Sequence, residues 1–227
     1  YETFGYDSAL YAGYAIELPR AGGGADTVAF TGTPRLPNRD WQVSIYTPEF
    51  ARFSGSLVVL WGKDDNFFEW ASADIVFTTL NLTWRPTDQL RVGMDYVANQ
   101  YHRRTDRSLV GRQRIPRLKV EYQLSRPLFL RVVGEYNAQE LATLRDDSRT
   151  NAPLLIFDRA SGTYLRASAS QRNTFRTDLL LSYQPTPGTV LFAGYGSTLQ
   201  EPEAMRFRRL SRIDDGFFVK MSYLFRV

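Results

Sequence analysis

Residues 214–227, at the end of the chain, read DDGFFVKMSYLFRV. From Phe217 onward every second residue is apolar or aromatic, whereas the intervening positions include Lys220, Ser222 and Arg226. A period of two indicates a β-strand with one apolar and one polar face. A second sheet would cover the apolar face in a soluble sandwich, whereas lipid would cover it in an outer-membrane barrel whose last strand pairs with its first.

The composition indicates one large domain. The 227 residues include no Pro/Gly/Ser-rich linker, and the absence of cysteine excludes disulfides and thiolate metal sites. No apolar run approaches the roughly 20 residues that a membrane-spanning helix needs. Because the chain opens at Tyr1 without an initiator Met or a signal peptide, we expect it to be processed or incomplete.

Charge and aromatic content narrow the function classes. The net charge of +4 is dispersed among apolar residues rather than gathered in one basic tract, which argues against nucleic acid as a partner. The 15 Phe and 13 Tyr residues are instead typical of chains whose aromatic rings gather at membrane–water interfaces.

Alternation recurs along most of the chain. In residues 116–124, Leu118, Val120 and Tyr122 alternate with charged neighbours that no soluble core would accept. The same pattern predicts strands at residues 41–47, 53–61, 74–84, 90–101, 116–124, 128–139, 173–184, 189–199 and 214–227, although the two faces of 189–199 cannot be told apart. With residues 1–18 counted as one strand and residues 19–40 as a loop, we predict an antiparallel up-and-down transmembrane β-barrel of about ten strands.

The connections between these strands alternate in length. Short turns lie at residues 48–52, 85–89, 125–127 and 185–188, and long polar loops lie at the other end of the strands. Outer-membrane barrels combine tight periplasmic turns with long surface loops in this way. Aromatic residues precede three of the short turns, and with two near the C-terminus they form a predicted periplasmic girdle: Trp84, Tyr122, Tyr183, Tyr223 and Phe225.

The polar faces of the strands carry charges of both signs. The predicted lumen-lining residues are Arg91, Asp95, Arg117, Lys119, Glu121, Arg131, Glu135, Arg176, Asp178, Lys220 and Arg226. Such residues line a water-filled pore in a wide ring, or bridge across a narrow ring and close it. The sequence leaves both outcomes open, because it does not reveal the size of the ring.

Several segments carry a family resemblance. They are RIPRLKVEYQL (114–124), SRPLFLRVVGEYNAQ (125–139), LRDDSRTNAP (144–153), SYQPTPGTVLFAGYGS (182–197) and GFFVKMSYLFRV (216–227). Together they resemble the C-terminal end of a bacterial envelope family of unknown function, in which a sandwich similar to family-nine carbohydrate-binding modules precedes an outer-membrane β-barrel. The resemblance spans roughly residues 38–227. It implies that the natural protein is several times longer and leaves open whether a ring of ten strands is complete; it implies no catalytic residue.

Enzymatic and metal sites have weak support. His102 is the only histidine, and with Asp64, Asp65 and Asp106 it offers a distant likeness to an omptin-type surface protease, but we favour the interpretation that it is an exposed loop imidazole. Asp64, Asp65, Asn66 and Glu69 offer oxygen ligands without the spacing of a calcium loop, so we expect solvated charges there. We therefore predict no catalytic residue, no metal and no cofactor.

A basic loop at residues 102–114 completes the candidate sites. Guanidinium groups suit phosphate oxygens, so the loop arginines are candidates for contact with lipopolysaccharide, against the alternative of a merely solvated loop. These candidates are Arg103, Arg104, Arg107 and Arg112.

Taken together, the sequence predicts a Gram-negative outer-membrane protein that is not an enzyme. The first interpretation is a porin-like pore or uptake component, with oligosaccharides as the candidate solute. The second is a non-conducting anchor or scaffold for an envelope assembly, and the third is an omptin-like hydrolase. The expected partners are outer-membrane lipid and lipopolysaccharide, the barrel-assembly machinery through the C-terminal strand, and other envelope proteins.

Overall fold

The computed structural model describes residues 2–5, 8–33, 35–203 and 206–224. These residues form antiparallel β-strands and one 3-10 turn, Ser8–Tyr11. The strands are β1 (Glu2–Gly5), β2 (Tyr14–Pro19), β3 (Ala25–Ala29), β4 (Arg35–Tyr46), β5 (Phe53–Asn66), β6 (Ala71–Trp84), β7 (Leu90–Arg103), β8 (Leu109–Ser125), β9 (Leu128–Leu141), β10 (Leu154–Asp158), β11 (Thr163–Arg166), β12 (Ser170–Thr186), β13 (Thr189–Glu201) and β14 (Ser211–Tyr223). Nothing helical in the described ranges has the length and apolar character needed to cross a membrane.

Ten strands form one sheet in the order β1-β4-β5-β6-β7-β8-β9-β12-β13-β14. Nine of them are 12 to 17 residues long, and β1 has four residues. Every neighbouring pair is antiparallel, so the predicted all-β antiparallel class and the predicted hairpins are confirmed. Short turns join β4 to β5, β6 to β7, β8 to β9 and β12 to β13 at one end, here called the short-turn end. The opposite end is called the long-loop end.

The register gives the large sheet two unlike faces. Val132 on β9 lies opposite Val120 on β8 and Leu179 on β12, and Leu179 lies opposite Tyr195 on β13. The pattern continues to β4 at one edge, where Val43 opposes Val59, and to β14 at the other. We call this side the apolar face and the opposite side the polar face.

The pairing of β13 assigns the faces that the sequence left unassigned. Leu191 lies opposite Tyr183 and Met221, so Leu191, Ala193 and Tyr195 belong to the apolar face. Val190 and Phe192 therefore point to the polar face, where Phe192 opposes Lys220. Apolar residues on both faces are the reason that the pattern of this strand was ambiguous.

A second sheet of four strands has the order β11-β10-β2-β3. It corrects two predictions. Residues 1–18 contain two strands in different sheets rather than one strand, and residues 19–40 contain β3 and the start of β4 rather than only a loop. The long connection between β9 and β12 likewise contains β10 and β11. These strands are short and do not alternate regularly, because their buried residues, such as Ile16 and Leu154, pack into a local core with Tyr11 and Trp70.

Among the described residues the large sheet is open. β1 pairs only with residues 35–38 of β4, and the outer edge of β4 beyond Asn38 has no partner strand. β14 is the opposite edge, and all of its residues are exposed. The count of ten strands agrees with the prediction, whereas closure into a ring is not observed.

Gly62 is the glycine whose environment is most restrictive in the β4–β5 pair. Its φ is 147°, and a Cβ atom there would overlap the backbone of Arg39 and Asp40. We expect Gly62→Ala to lower the free energy of unfolding by about 1–3 kcal/mol, because both the dihedral and the contact would be strained. Urea titration followed by tryptophan fluorescence measures this change.

Gly93→Ala is the matched control for Gly62→Ala. The nearest atom to a Cβ at Gly93 is in the Lys119 side chain at 3.7 Å, which is an ordinary contact. We expect a change within about 0.5 kcal/mol for this variant. Equal effects of the two substitutions would contradict the strained geometry at Gly62.

Candidate functional site

The described members of the predicted lumen-lining set all lie on the polar face, and Arg226 lies outside the described residues. The register arranges them as a checkerboard of charges. Arg117 opposes Asp95 on one side and Glu135 on the other. Glu121 opposes Arg91 and Arg131 in the same way. Lys119 and Asp178 instead face uncharged residues on both neighbouring strands.

Ion pairs on the polar face run along the wall of the sheet. Arg91 approaches Glu121 at 3.9 Å and Arg117 approaches Glu135 at 3.9 Å, both between neighbouring strands. Lys119 reaches Glu121 on its own strand at 3.5 Å. Exposed pairs of this kind contribute little to stability, typically less than about 1 kcal/mol each. These side chains therefore form ion pairs along the sheet and, among the described residues, none across the space above it.

A concave pocket of about 770 Å³ opens on the large sheet at β8, β9, β12, β13 and β14. Its charged lining consists of Arg117, Lys119, Arg131, Arg176, Asp178 and Asp214. The buried Nε–H of Arg131 has no hydrogen-bond partner among the described residues. Basic side chains donate hydrogen bonds and acidic side chains accept them, so this surface suits a highly hydroxylated solute as well as water.

At the long-loop end a cap covers the polar face. We define the cap as the four-stranded sheet together with the loops at residues 67–70, 104–108 and 142–153. Phe68 packs edge-on against Tyr101, with ring centroids 5.6 Å apart. Tyr101 and Leu141 face the same side through their pairing with Gly111, and both pack against the core of the cap. The polar face of the sheet is therefore covered at this end, along the strands that the cap contacts.

A buried ion pair holds the cap together. The side chains of Glu69 and Arg103 are 0% and 5% exposed, and Nη2 of Arg103 lies 2.5 Å from Oε1 of Glu69. Nη2 also donates to the Thr143 carbonyl at 2.8 Å, and Nη1 donates to the Ser108 hydroxyl at 2.9 Å. The Arg145 backbone N–H donates to Glu69 at 3.0 Å. One carboxylate and one guanidinium thus join three loops that are distant in sequence.

Burial and hydrogen bonds shift the pKa of Glu69 in opposite directions, and burial has the larger effect. Burial raises the pKa of Glu69, while the hydrogen bonds and charge of Arg103 act in the opposite direction. Asn66 donates a further hydrogen bond to its Oε2 at 3.1 Å. In the exposed loop nearby, hydrogen bonds from the hydroxyl and backbone N–H of Ser108, followed by Arg145, hold the pKa of Asp106 well below its usual range.

This geometry corrects two expectations. Arg103 belongs to the end of β7 and is buried against Glu69, so its guanidinium is not available to lipopolysaccharide. Asp65, Asn66 and Glu69 are buried rather than solvated. One sequence signal could have indicated this burial: the aromatic residues Phe67, Phe68 and Trp70 flank Glu69 in the sequence.

The other three candidate arginines have different surroundings. Arg104 and Arg107 both approach Asp74, at 3.7 and 2.9 Å. Arg112 lies within β8 rather than in a loop and pairs with Glu140 at 2.7 Å. All three remain at least partly exposed, so their contact with lipopolysaccharide stays a prediction.

Aromatic side chains lie on the apolar face toward both ends of the strands. Trp84, Tyr122, Tyr183 and Tyr223 are on the apolar face at the short-turn end, and each is exposed. Phe225 lies outside the described residues. Further aromatic side chains occur on the same face, farther from the short turns: Trp41, Trp61, Tyr96, Tyr136, Phe175, Tyr195 and Phe217.

The residues considered for a protease or a metal are held by other contacts. His102 lies opposite Asp74, and a nitrogen of its ring is 3.2 Å from the Gln100 amide. Asp64 accepts a hydrogen bond from Asn38, and Asp106 accepts one from Ser108. Within the described ranges, no group of three or more His, Asp or Glu side chains has the placement of a metal site.

Comparison of the chain with protein-family models, with curated proteins and with solved structures finds no match.

The ion pair of the cap gives a sharp stability test. Glu69→Leu would leave the guanidinium of Arg103 buried without its carboxylate, and breaking such a pair costs about 3–5 kcal/mol. We expect amide hydrogen exchange to accelerate in residues 104–108 and 142–153, because these loops are joined through Glu69. Hydrogen exchange with mass spectrometry on the two loops measures the change.

Asp74→Asn is the control for Glu69→Leu. It removes the pairs with Arg104 and Arg107, of which the Arg107 side chain is 80% exposed, so we expect less than about 1 kcal/mol. Similar exchange rates in both variants would contradict the central position of Glu69.

Proposed function

We propose that this chain is part of a β-barrel in the outer membrane of a Gram-negative bacterium, with its apolar face toward lipid and its polar face toward a lumen. We further propose that the protein is a pore or uptake component rather than an enzyme. Its partners would be the surrounding lipid and lipopolysaccharide, the barrel-assembly machinery at β14 and other envelope proteins. The observation that carries the proposal is an uncharged band on one face of nine strands, which is rich in exposed aromatic and aliphatic side chains.

The height of this band supports a bilayer. On β12 the band runs from Phe175 to Tyr183, which is nine residues, and a tilted membrane strand needs about 9–11 residues. The band includes apolar side chains whose exposure to water would be unfavourable: Phe217 is 84% exposed and Val219 is 73% exposed. Lipid satisfies such a surface, because apolar side chains lose nothing by facing acyl chains.

Closure of the proposed barrel requires further strands. Nine long strands of alternating direction run from β4 to β14, so these two edges point the same way. Direct pairing of β4 with β14 would be parallel, whereas up-and-down barrels are antiparallel. We infer that an odd number of strands separates the two edges, and β1, which is antiparallel to β4, marks the position of one of them. The resemblance to a longer envelope family offers a source for the remainder.

The choice of solute follows from the polar face and the resemblance. The pocket at Arg131 and Arg176 has four basic and two acidic side chains, so it offers both donors and acceptors of hydrogen bonds to a hydroxyl-rich solute. Oligosaccharides bound by a carbohydrate-binding-like domain of the longer protein would be such solutes.

A second candidate function is a non-conducting anchor or scaffold. The cap favours it, because the cap closes the inner side of the sheet at the long-loop end. The buried pair of Glu69 and Arg103 would keep that closure in place. In this case the loops of the cap would be the surface that other envelope proteins contact.

Conductance separates the two candidates. We expect the full-length protein in a planar bilayer to give steady single channels that oligosaccharides interrupt. The absence of conductance from protein shown to be inserted and folded would contradict the pore and leave the anchor.

A charge reversal tests whether the polar face lines the ion-conducting path of the proposed pore. In an open pore, Arg131→Glu is expected to shift the reversal potential in a salt gradient toward cation selectivity, because the wall of the pore becomes more negative. Arg126→Glu, in the β8–β9 turn, changes charge equally and is the control. Equal shifts in the two variants would place the conducting path elsewhere.

The position of lipid is tested by adjacent substitutions on β12. Leu181 lies on the apolar face and Ser182 on the polar face. Leu181→Arg is expected to cost about 1–2 kcal/mol of folding free energy in a bilayer, since a charge on the lipid face between the midplane and the interface is disfavoured. Ser182→Arg is expected to cost much less, because its side chain faces water. Urea titration in lipid vesicles measures both, and a larger cost for Ser182→Arg would reverse the assignment of the faces.

A further inference from the structure

A groove on the apolar face differs from the rest of the band. It has a volume of about 530 Å³ and lies between β7 and β12 toward the long-loop end. Its principal lining residues are Met94, Leu118, Val132, Tyr136, Phe175 and Phe207. The floor is low at Gly134, which lies opposite Leu118 on one side and Thr177 on the other and contributes no side chain.

Phe207 forms one wall of the groove from the β13–β14 loop. Its ring centroid is 4.1 Å from that of Tyr136 and 6.2 Å from that of Phe175. The Tyr136 hydroxyl lies 3.3 Å from the Arg206 carbonyl, to which it donates. The loop therefore rests on the apolar face through specific contacts.

Buried Glu201 fixes the same loop from the other side. Its Oε1 accepts the backbone N–H groups of Arg208 and Arg209 at 2.7 and 3.0 Å. Glu201 itself is almost fully buried. The backbone on both sides of Phe207 is thus held, and the wall of the groove is preformed.

Positive charge gathers at the upper end of the groove. Arg114 is exposed on the apolar side of β8, opposite Ala138 and beyond the groove residue Pro116. Arg208 and Arg209 are exposed and immediately follow Phe207. The carboxylate of Glu201 contacts only the backbone N–H groups of Arg208 and Arg209. Among the ion pairs of the described residues, none involves the guanidinium group of Arg114, Arg208 or Arg209, so these three groups are available to a ligand.

An apolar groove below a cluster of arginines is complementary to a lipid with an anionic head group. A dry cavity of about 150 Å³ already holds a benzene molecule, so this groove has room for a longer apolar chain. Each methylene buried contributes about 0.8 kcal/mol, and guanidinium groups bind phosphate oxygens through paired hydrogen bonds.

We propose that the groove binds an acyl chain of lipopolysaccharide, with a head-group phosphate held by Arg114, Arg208 and Arg209. The site takes Arg114 from the end of the basic segment 102–114 but none of its candidates Arg103, Arg104, Arg107 and Arg112, and it rests on the membrane position proposed above. It would place lipopolysaccharide at a defined point beside the β13–β14 loop, so that the lipid stabilises this loop from outside.

The test uses the protein extracted from outer membranes in mild detergent, with bound lipopolysaccharide counted by native mass spectrometry. Gly134→Leu would fill the floor of the groove, and we expect it to reduce bound lipopolysaccharide roughly tenfold. Ala193→Leu adds similar bulk on the apolar face outside the groove and is expected to change nothing. The triple variant Arg114→Gln, Arg208→Gln, Arg209→Gln is expected to lose lipopolysaccharide to a similar extent, whereas Arg126→Gln is the neutral control.

The outcomes separate this site from the membrane proposal. Wild-type protein that inserts into vesicles but retains no lipopolysaccharide, or retains it equally in Gly134→Leu and Ala193→Leu, overturns the site alone. Retention of a glycerophospholipid in its place overturns the choice of lipid. Wild-type protein that does not insert overturns both proposals. Selective loss in the groove and arginine variants, with insertion unchanged, supports the site.

Discussion

The uncharged face shared by nine strands is the constraint on which the architecture depends. Backbone hydrogen bonds within the sheet satisfy its polar backbone groups. The side chains of this face, however, have few groups that can form hydrogen bonds with water. Within this band, alternation places the charged side chains on the opposite side, because a one-residue shift would exchange the two faces completely. Arg114 and Glu201 lie on the apolar side beyond the band. The checkerboard of Arg117, Glu135 and Arg176 is therefore the counterpart of the row formed by Leu118, Gly134 and Thr177.

The two ends of the sheet are organised by different forces. At the short-turn end the strands meet in tight turns below exposed aromatic side chains such as Trp84 and Tyr183. At the long-loop end the chain builds a separate core, and the desolvated pair of Glu69 and Arg103 unites its loops. Burial of a charge is expensive without a matched partner, so this pair makes the arrangement of the loops specific. Lateral ion pairs keep the wall of the polar face hydrated between these ends.

The regular part of the fold could be predicted from the sequence, and the irregular part could not. Residues 116–124 and 128–139 alternate cleanly, so their faces and their hairpin follow from local pattern alone. β13 fails this test, because Phe192 is apolar on the polar face and only its neighbours fix the register. The small sheet, the ion pair of Glu69 and the groove beside Phe207 depend on contacts between residues far apart in the chain. No local pattern encodes such contacts.

The membrane position of the apolar face is tested most directly by spin labels at each position from 175 to 183 of β12, in protein reconstituted into vesicles. The chain has no native cysteine, so single cysteines can be labelled without removing others. We expect the odd-numbered positions to be accessible to oxygen in the lipid and the even-numbered positions to be accessible to a water-soluble nickel chelate. Equal access of the nickel chelate to both sets would contradict the placement of this face in lipid.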